Sequence, residues 1–295
     1  MDKEKRDRIL IVLTIIMVLC SMILIGFLAY NKYKQKGVEE AMQKDAENQR
    51  LIDEALGTFK DAEDVNQEQL FKLADICRDN PRAIPVLQHF SSYPDRVIKM
   101  IIIDTDTIDF VLDYLDNAEK EPEDDIDISE DVKGNNIPLF IQWDKRWGYY
   151  SYGNGVVGYT ACGPTCLSMI YTYLTKDYSM NPYIISKYAK EHDYVEYGVG
   201  TRWTLYTTGA KDLGLNVKGL GTDKNSIIEE LNNNHPVICS VGPGDFTDNG
   251  HFIVLKSYDN GNVSVNDPNS YKNSKKEWNI DTVIGQMKSA WSFWK

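Results

Sequence analysis

The sequence predicts an α+β fold for the second half of the chain, preceded by a transmembrane helix and a small all-helical segment. Three observations lead to this prediction. Residues 9–30 are apolar, residues 31–118 follow a helical period, and residues 137–295 place helical patterns before extended ones. Helices followed by an antiparallel sheet are typical of α+β proteins.

Residues 9–30 carry no charge over 22 positions, which is long enough to cross a bilayer as one helix. Four basic residues lie before it in the short N-terminal tail 1–8, and three follow it within residues 31–36. This small excess favours an N-terminus in the cytoplasm and the rest of the chain outside. No cleavage site is evident, and the bulky Leu19 before Cys20 argues against a lipid-modified cysteine. We therefore expect a single-pass signal anchor in a cell membrane.

Residues 31–118 read as short amphipathic helices, either a stalk or a small helical domain. Asn66 is placed to cap a helix whose residues Leu70, Leu73 and Cys77 share one apolar face. The segment 119–136 follows, and its residues Glu119 to Asp131 hold eight carboxylates and one lysine. Like-charge repulsion predicts a flexible acidic linker there, with a domain boundary near residue 136.

Residues 137–295 mix both periods. The stretches PTCLSMIYTYL, NPYIISKYAKEH, RWTLYTTGAKDLG and DKNSIIEELNNN predict helices. The stretches PVICSVG, GHFIVLKSY and NVSVNDP predict strands, and the Asp-Asn-Gly-Asn between the last two predicts a hairpin.

Charge and cysteine usage exclude several classes of function. The net charge of −12 belongs to the first half, because residues 137–295 carry 15 basic and 15 acidic side chains. The sequence has no stripe of basic residues of the kind that binds nucleic acid. Five scattered cysteines fit neither a disulfide framework nor a zinc site, and no metal or organic cofactor is implied.

Cys162 is placed where a nucleophile is needed. Pro164 is tolerated only in the first turn of the following helix, so Cys162 should lie at the N-terminal end of that helix. The exposed N–H groups of a helix N-terminus favour a thiolate. A small apolar residue opening a buried helix is the alternative. Cys166, one turn further on, and Cys239, in a strand, are expected to be core residues.

His251 and Asp267 flank the predicted hairpin. His251 precedes the apolar strand, and a turn near Asn260 would bring Asp267 close to opposite it. A carboxylate there can hold the tautomer and orientation of the imidazole, although Asp267-Pro268 could equally open a turn. Gln142, in an aromatic-rich loop, is a candidate donor to an oxyanion.

The elements QWDKRWG, CGPT, GHFIVL and NDP, in this order, resemble the stand-alone branch of the bacteriocin-leader (double-glycine) processing cysteine peptidases, over roughly residues 137–295. The resemblance implies a papain-like fold, with helices packed on an antiparallel sheet. It implies that Cys162 attacks, His251 is the base, Asp267 orients it and Gln142 supplies the oxyanion hole. The glutamine lies twenty residues before the cysteine, as in stand-alone members, and no nucleotide-binding motif follows. Peptide export and cleavage after a double glycine are therefore not expected.

The favoured hypothesis is a membrane-anchored cysteine peptidase that acts on a peptide or protein substrate at the bacterial cell surface. An acyl transferase or a cell-wall peptide amidase would use the same residues, and the sequence does not separate them. The third alternative is a papain-like binding module without catalysis. The substrate, the cleavage rule and the oligomeric state are not predicted.

Overall fold

The structure is a computed structural model that describes residues 2–122 and 125–295. Met1 of the predicted tail and residues 123–124 of the predicted acidic linker lie outside the described residues. The contacts between residues divide the chain into two compact units, one up to Phe90 and one from Ser91 to Lys295. This division falls inside segment 31–118, and the boundary near residue 136 stays a prediction.

The first unit contains α1 (Lys3–Phe59), α2 (Gln67–Asp79) and α3 (Ile84–Gln88). Among the described residues, α1 is the one helix long and apolar enough to cross a membrane, and its apolar side chains at 9–30 are exposed. The predicted cap is present, since the Asn66 side chain accepts a hydrogen bond from the backbone N–H of Gln69 at 3.2 Å. The predicted face of α2 is fully buried at Leu70, Leu73 and Cys77.

The second unit combines helices and strands. Its helices are α4 (Asp95–Ile103), α5 (Ile108–Asn117), α6 (Val157–Thr160), α7 (Cys162–Thr175), α8 (Pro182–Glu191), α9 (Ala210–Asp212), α10 (Lys224–Asn232), α11 (Tyr271–Ser274) and α12 (Ile280–Gln286), with a π-helical turn at Leu205–Gly209 before α9. Its strands are β1 (Ser151–Tyr152), β2 (Gly155–Val156), β3 (Val195–Glu196), β4 (Gly200–Thr201), β5 (Asn216–Gly219), β6 (Val237–Val241), β7 (His251–Asp259), β8 (Asn262–Asn266), β9 (Glu277–Asn279) and β10 (Met287–Trp294). Short 3₁₀ turns lie at Pro81–Ala83 in the first unit, at Phe90–Ser92, and at Thr105–Thr107 and Ser129–Asp131 in the second.

The main sheet has the strand order β5-β10-β6-β7-β8-β9 within the described residues, and every pairing is antiparallel. The predicted hairpin joins β7 to β8 through Asn260 and Gly261. Both residues have positive φ, 46° and 89°, as a type I′ turn requires. The predicted α+β architecture with an antiparallel sheet is therefore confirmed.

Each face of the sheet carries a core. Alternate residues of β7 point to opposite faces. Phe252 and Val254 join the core that contains the buried side of α7, and Ile253 and Leu255 join the core that contains Ile227 of α10. Because β7 is buried on both faces, its position relative to α7 is fixed. The first residues of both elements lie at the site described next.

Candidate active site

Cys162 is the first residue of α7 and is half-buried. The helix thus begins where Pro164 predicted, and the N-terminal end of its dipole favours a negative charge on the Cys162 sulfur. One turn later the buried Cys166 Sγ–H donates to the backbone carbonyl of Phe252 at 3.3 Å. That contact fixes the start of α7 against the strand residue next to His251.

His251 is the first residue of β7 and pairs with Val241 of β6. Its Nε2 lies 2.7 Å from Asp267 Oδ1, and both side chains are buried. The two residues are not opposite each other in the ladder. A register shift lies between Leu255 and Ser257, and the last β7–β8 pair beyond it is Val254 with Asn266. The Asp267 side chain therefore reaches His251 diagonally.

The electrostatics of His251 follow from this burial and from two neighbours. Burial by itself lowers the pKa of the imidazole, because it disfavours the charged form. The negative charges of Asp267 and Cys162, and hydrogen bonds to both, outweigh burial and raise the pKa of His251 to about 10. Since Asp267 occupies Nε2, Nδ1 is the ring nitrogen left for Cys162. The imidazole is therefore held as a cation between a carboxylate and a thiol.

The Asp267 carboxylate is held by two further donors that the sequence analysis missed. Its Oδ1 accepts from the backbone N–H of Asn269, and its Oδ2 accepts from Asn273 Nδ2, both at 2.8 Å. The Asp267 N–H donates to Ser274 Oγ at 2.9 Å. The Asp-Pro-Asn turn gave a local signal for the first bond. Asn273 lies in a short polar helix, α11, whose pattern gives no such signal.

Gln142 lies on the segment that leads into the domain, beside the loop carrying Asp267. Its backbone N–H donates to the Pro268 carbonyl at 2.7 Å, and its buried Nε2 donates to the Gly158 carbonyl at 3.0 Å. An amide NH₂ has two protons. The second contact of Nε2, to Asn269 Oδ1 at 3.5 Å, is too long for a strong hydrogen bond. Of the two Gln142 contacts, the one to Asn269 is therefore the weaker, and it is the one that a stronger acceptor would displace.

The other candidate groups do not belong to this cluster. Burial raises the pKa values of the Cys166 and Cys239 thiols, which keeps both protonated, and each of the five cysteines is free. Within the part of the chain that the structure describes, no group of three or more His, Cys, Asp or Glu side chains is placed to hold a metal ion.

A cysteine at a helix N-terminus, facing an imidazole that a carboxylate orients, is the arrangement used by thiol-dependent hydrolases. Residues 135–294 match the Peptidase_C39 like family, and the chain belongs to this family. The resemblance inferred from the four motifs is thereby confirmed, and membership supports a cysteine peptidase in general terms.

Two solved structures are similar to the chain. One is the peptidase domain of Streptococcus ComA, described as a bi-functional ABC transporter involved in a quorum sensing pathway. It is 18% identical, with a TM-score of 0.35 over 45% of this chain and 90% of that one. The other, from Bacillus anthracis, is named as a C39-like peptidase. It is 18% identical, with a TM-score of 0.37 over 55% of this chain and 96% of that one. A search of curated proteins found no match.

Proposed function

We propose that this chain is a membrane-anchored cysteine peptidase that hydrolyses peptide bonds through Cys162, His251 and Asp267, with Gln142 as oxyanion donor. The observation that carries the proposal is the buried 2.7 Å contact between His251 and Asp267, next to a cysteine at the start of α7. Membership of the family supports the general class.

The mechanism follows from the placement of the groups. Cys162 and His251 rest as a thiolate–imidazolium pair, with the proton held on His251 Nδ1, and the Sγ thiolate attacks the peptide carbonyl carbon. The carbonyl π electrons move to oxygen, and an Nε2–H of Gln142 and the backbone N–H of Cys162 stabilise that oxyanion. His251 then gives its proton to the leaving amine as the C–N bond breaks. Water hydrolyses the thioester and releases the carboxylic acid and the free thiol.

Product analysis tests the reaction class. The full chain in detergent would be incubated with a mixed peptide library, with Cys162→Ala as the control, and the products read by mass spectrometry. We expect new carboxyl and amino ends at single peptide bonds, absent from the control. Amide products that form only when an amine is added would indicate acyl transfer instead. Release of ammonia from cell-wall peptides alone would indicate an amidase, and unchanged peptides would favour a binding module.

The membrane part of the proposal is supported by the exposed apolar residues of α1. We place the span at residues 9–30 and the catalytic domain, at 137–295, outside the cell. Deleting residues 2–36 should move the protein from the carbonate-washed membrane fraction to the supernatant. A membrane-impermeant maleimide should label Cys162 in intact cells. Labelling that requires cell lysis would place the domain inside.

A further inference from the structure

We infer that Phe110, on a helix that precedes the region matched by the family, positions the oxyanion donor Gln142. The inference rests on the proposed function, because it assigns Phe110 a role through Gln142. It extends the working catalytic unit beyond residues 135–294, to include α5.

Three polar contacts attach α5 to the cysteine-bearing half of the second unit. The Tyr149 hydroxyl donates to the Phe110 carbonyl at 3.1 Å, and Lys145 Nζ forms an ion pair with Asp113 at 2.7 Å. Just past the helix, the Glu119 N–H donates to the Tyr149 carbonyl at 2.8 Å. These bonds lie at Phe110 and at two residues that follow it, and they attach α5 to residues 145–149.

The Phe110 ring is the centre of that interface. It is 1% exposed and stacks on Tyr149, with ring centroids 4.6 Å apart and planes 5° from parallel. The edge of the ring lies against the backbone of two glycines, which have no side chain. A Cβ built on Gly148 would meet Phe110 Cε2 at 2.8 Å, and one built on Gly158 would meet Phe110 Cζ at 2.5 Å. Only glycine allows this close approach at both positions.

The backbone under the ring is the part that holds Gln142. Gly158 N–H donates to the Gly148 carbonyl at 2.8 Å, and the Gly158 carbonyl accepts from Gln142 Nε2 at 3.0 Å. Gly158 lies four residues before Cys162. The ring therefore contacts two glycines that are hydrogen-bonded to each other, and one of them, Gly158, accepts from the amide of Gln142 that we propose as the oxyanion donor. Gln142 Oε1 is buried and has no partner among the described residues, so the Gly158 bond, shorter than the contact to Asn269, is the strongest hydrogen bond that orients the amide.

The test compares two reagents for Cys162 on the full chain in detergent. Acylation by p-nitrophenyl acetate passes through a tetrahedral oxyanion, as the sulfur attacks the carbonyl and p-nitrophenolate leaves. Alkylation by iodoacetamide is a direct displacement of iodide and forms no oxyanion. Loss of an oxyanion donor should therefore slow acylation and leave alkylation unchanged. Cys162→Ala gives the background rate for both reagents.

Gln142→Ala should lower the acylation rate about 100-fold, the usual effect of removing one such donor. Phe110→Ala should lower it at least tenfold, and Phe110→Leu should give an intermediate loss. The double variant Phe110→Ala with Gln142→Ala should be no slower than Gln142→Ala alone, because both changes remove the same interaction. Alkylation should stay within twofold of wild type throughout. Val111→Ala, equally buried on the same helix, controls for general loosening and should leave acylation unchanged.

The outcomes separate two failures. If Gln142→Ala lowers acylation but neither Phe110 variant does, or if the losses multiply in the double variant, the inference is wrong and the oxyanion role of Gln142 stands. If Gln142→Ala leaves acylation unchanged, that role fails, and the inference with it. Should Phe110→Ala not fold, Phe110→Leu and Gly158→Ala carry the same comparison, since a Cβ on Gly158 would clash with the Phe110 ring and displace the backbone that holds Gln142.

Discussion

Replacing Asp267 by Asn should shift the titration of His251 by more than three pH units. The pKa of His251 is about 10 in the folded protein, against 6.5 for an ordinary histidine. At about 1.36 kcal/mol per unit, this difference is on the order of 5 kcal/mol in favour of the imidazolium. Burial opposes that charge, and Asp267 is the main group that restores it. Without the carboxylate, burial and the remaining charge of Cys162 oppose each other, and the pKa should fall to about 6.5, the ordinary value. At pH 8 the protonated fraction would drop from nearly complete to about 3%, roughly a 30-fold loss.

The assay is NMR of ¹⁵N-labelled histidine in the full chain, in which His251 is one of four histidines and is assigned by its loss in His251→Ala. Wild type should titrate near pH 10 and Asp267→Asn at about pH 6.5. Asp259→Asn, an exposed carboxylate at the other end of β7, is the matched control and should titrate like wild type. A midpoint above pH 8 in Asp267→Asn would show that Asp267 is not the main group that raises the pKa of His251, and would contradict this prediction.

Three further predictions concern the active-site cluster and Cys166, which packs beside it. Asn273→Ala removes a charge-assisted hydrogen bond from Asp267 and should slow acylation by p-nitrophenyl acetate about tenfold. Asn273→Asp places a second carboxylate there and should slow acylation more at pH 8 than at pH 5; equal losses would contradict a positioning role. Since the pKa of His251 is raised above its unfolded value, its contribution to stability is complete below pH 6.5 and is lost as the pH rises through about 10. The difference in urea unfolding free energy between wild type and Asp267→Asn should shrink over that range, and a constant difference would contradict this. Cys166→Ala should lower the free energy of unfolding by about 1 kcal/mol and leave the Cys162 thiol fast-reacting. Loss of that fast reaction would contradict a structural role for Cys166.

Local chemistry made the start of α7 and the β7–β8 hairpin predictable. Pro164 restricts where a helix can begin, and Asn260-Gly261 supplies the two positive φ angles of a tight turn. The roles of Cys162, His251, Asp267 and Gln142 came partly from the resemblance and stay predictions. The pairing of Asp259 with Asn262 by itself offsets Asp267 from His251, and the register shift in β7 that reduces this offset by one residue could not be foreseen.

The missed elements depend on contacts between distant residues. The strand β10 lies between β5 and β6 in the sheet, but its sequence MKSAWSFW has few turn signals around it. Charge predicted a flexible acidic linker at 119–136, which stays a prediction, and it gave no signal that Ile128 is fully buried in the core of the second unit. The helical period of 108–117 predicted an apolar face but not its partner, the backbone of Gly148 and Gly158. The period of apolar residues predicts that a side chain is buried, but it does not predict which residues bury it.

The central claim is that His251 activates Cys162, and the rate of alkylation against pH tests it most directly. Iodoacetamide labelling of the full chain would be followed by peptide mapping at pH 5 to 10, with wild type beside His251→Ala. We expect fast labelling of Cys162 at pH 6 in wild type, and at least a tenfold loss in the variant, because the thiolate loses its cationic partner. Equal rates in the two proteins at pH 6 would contradict the account.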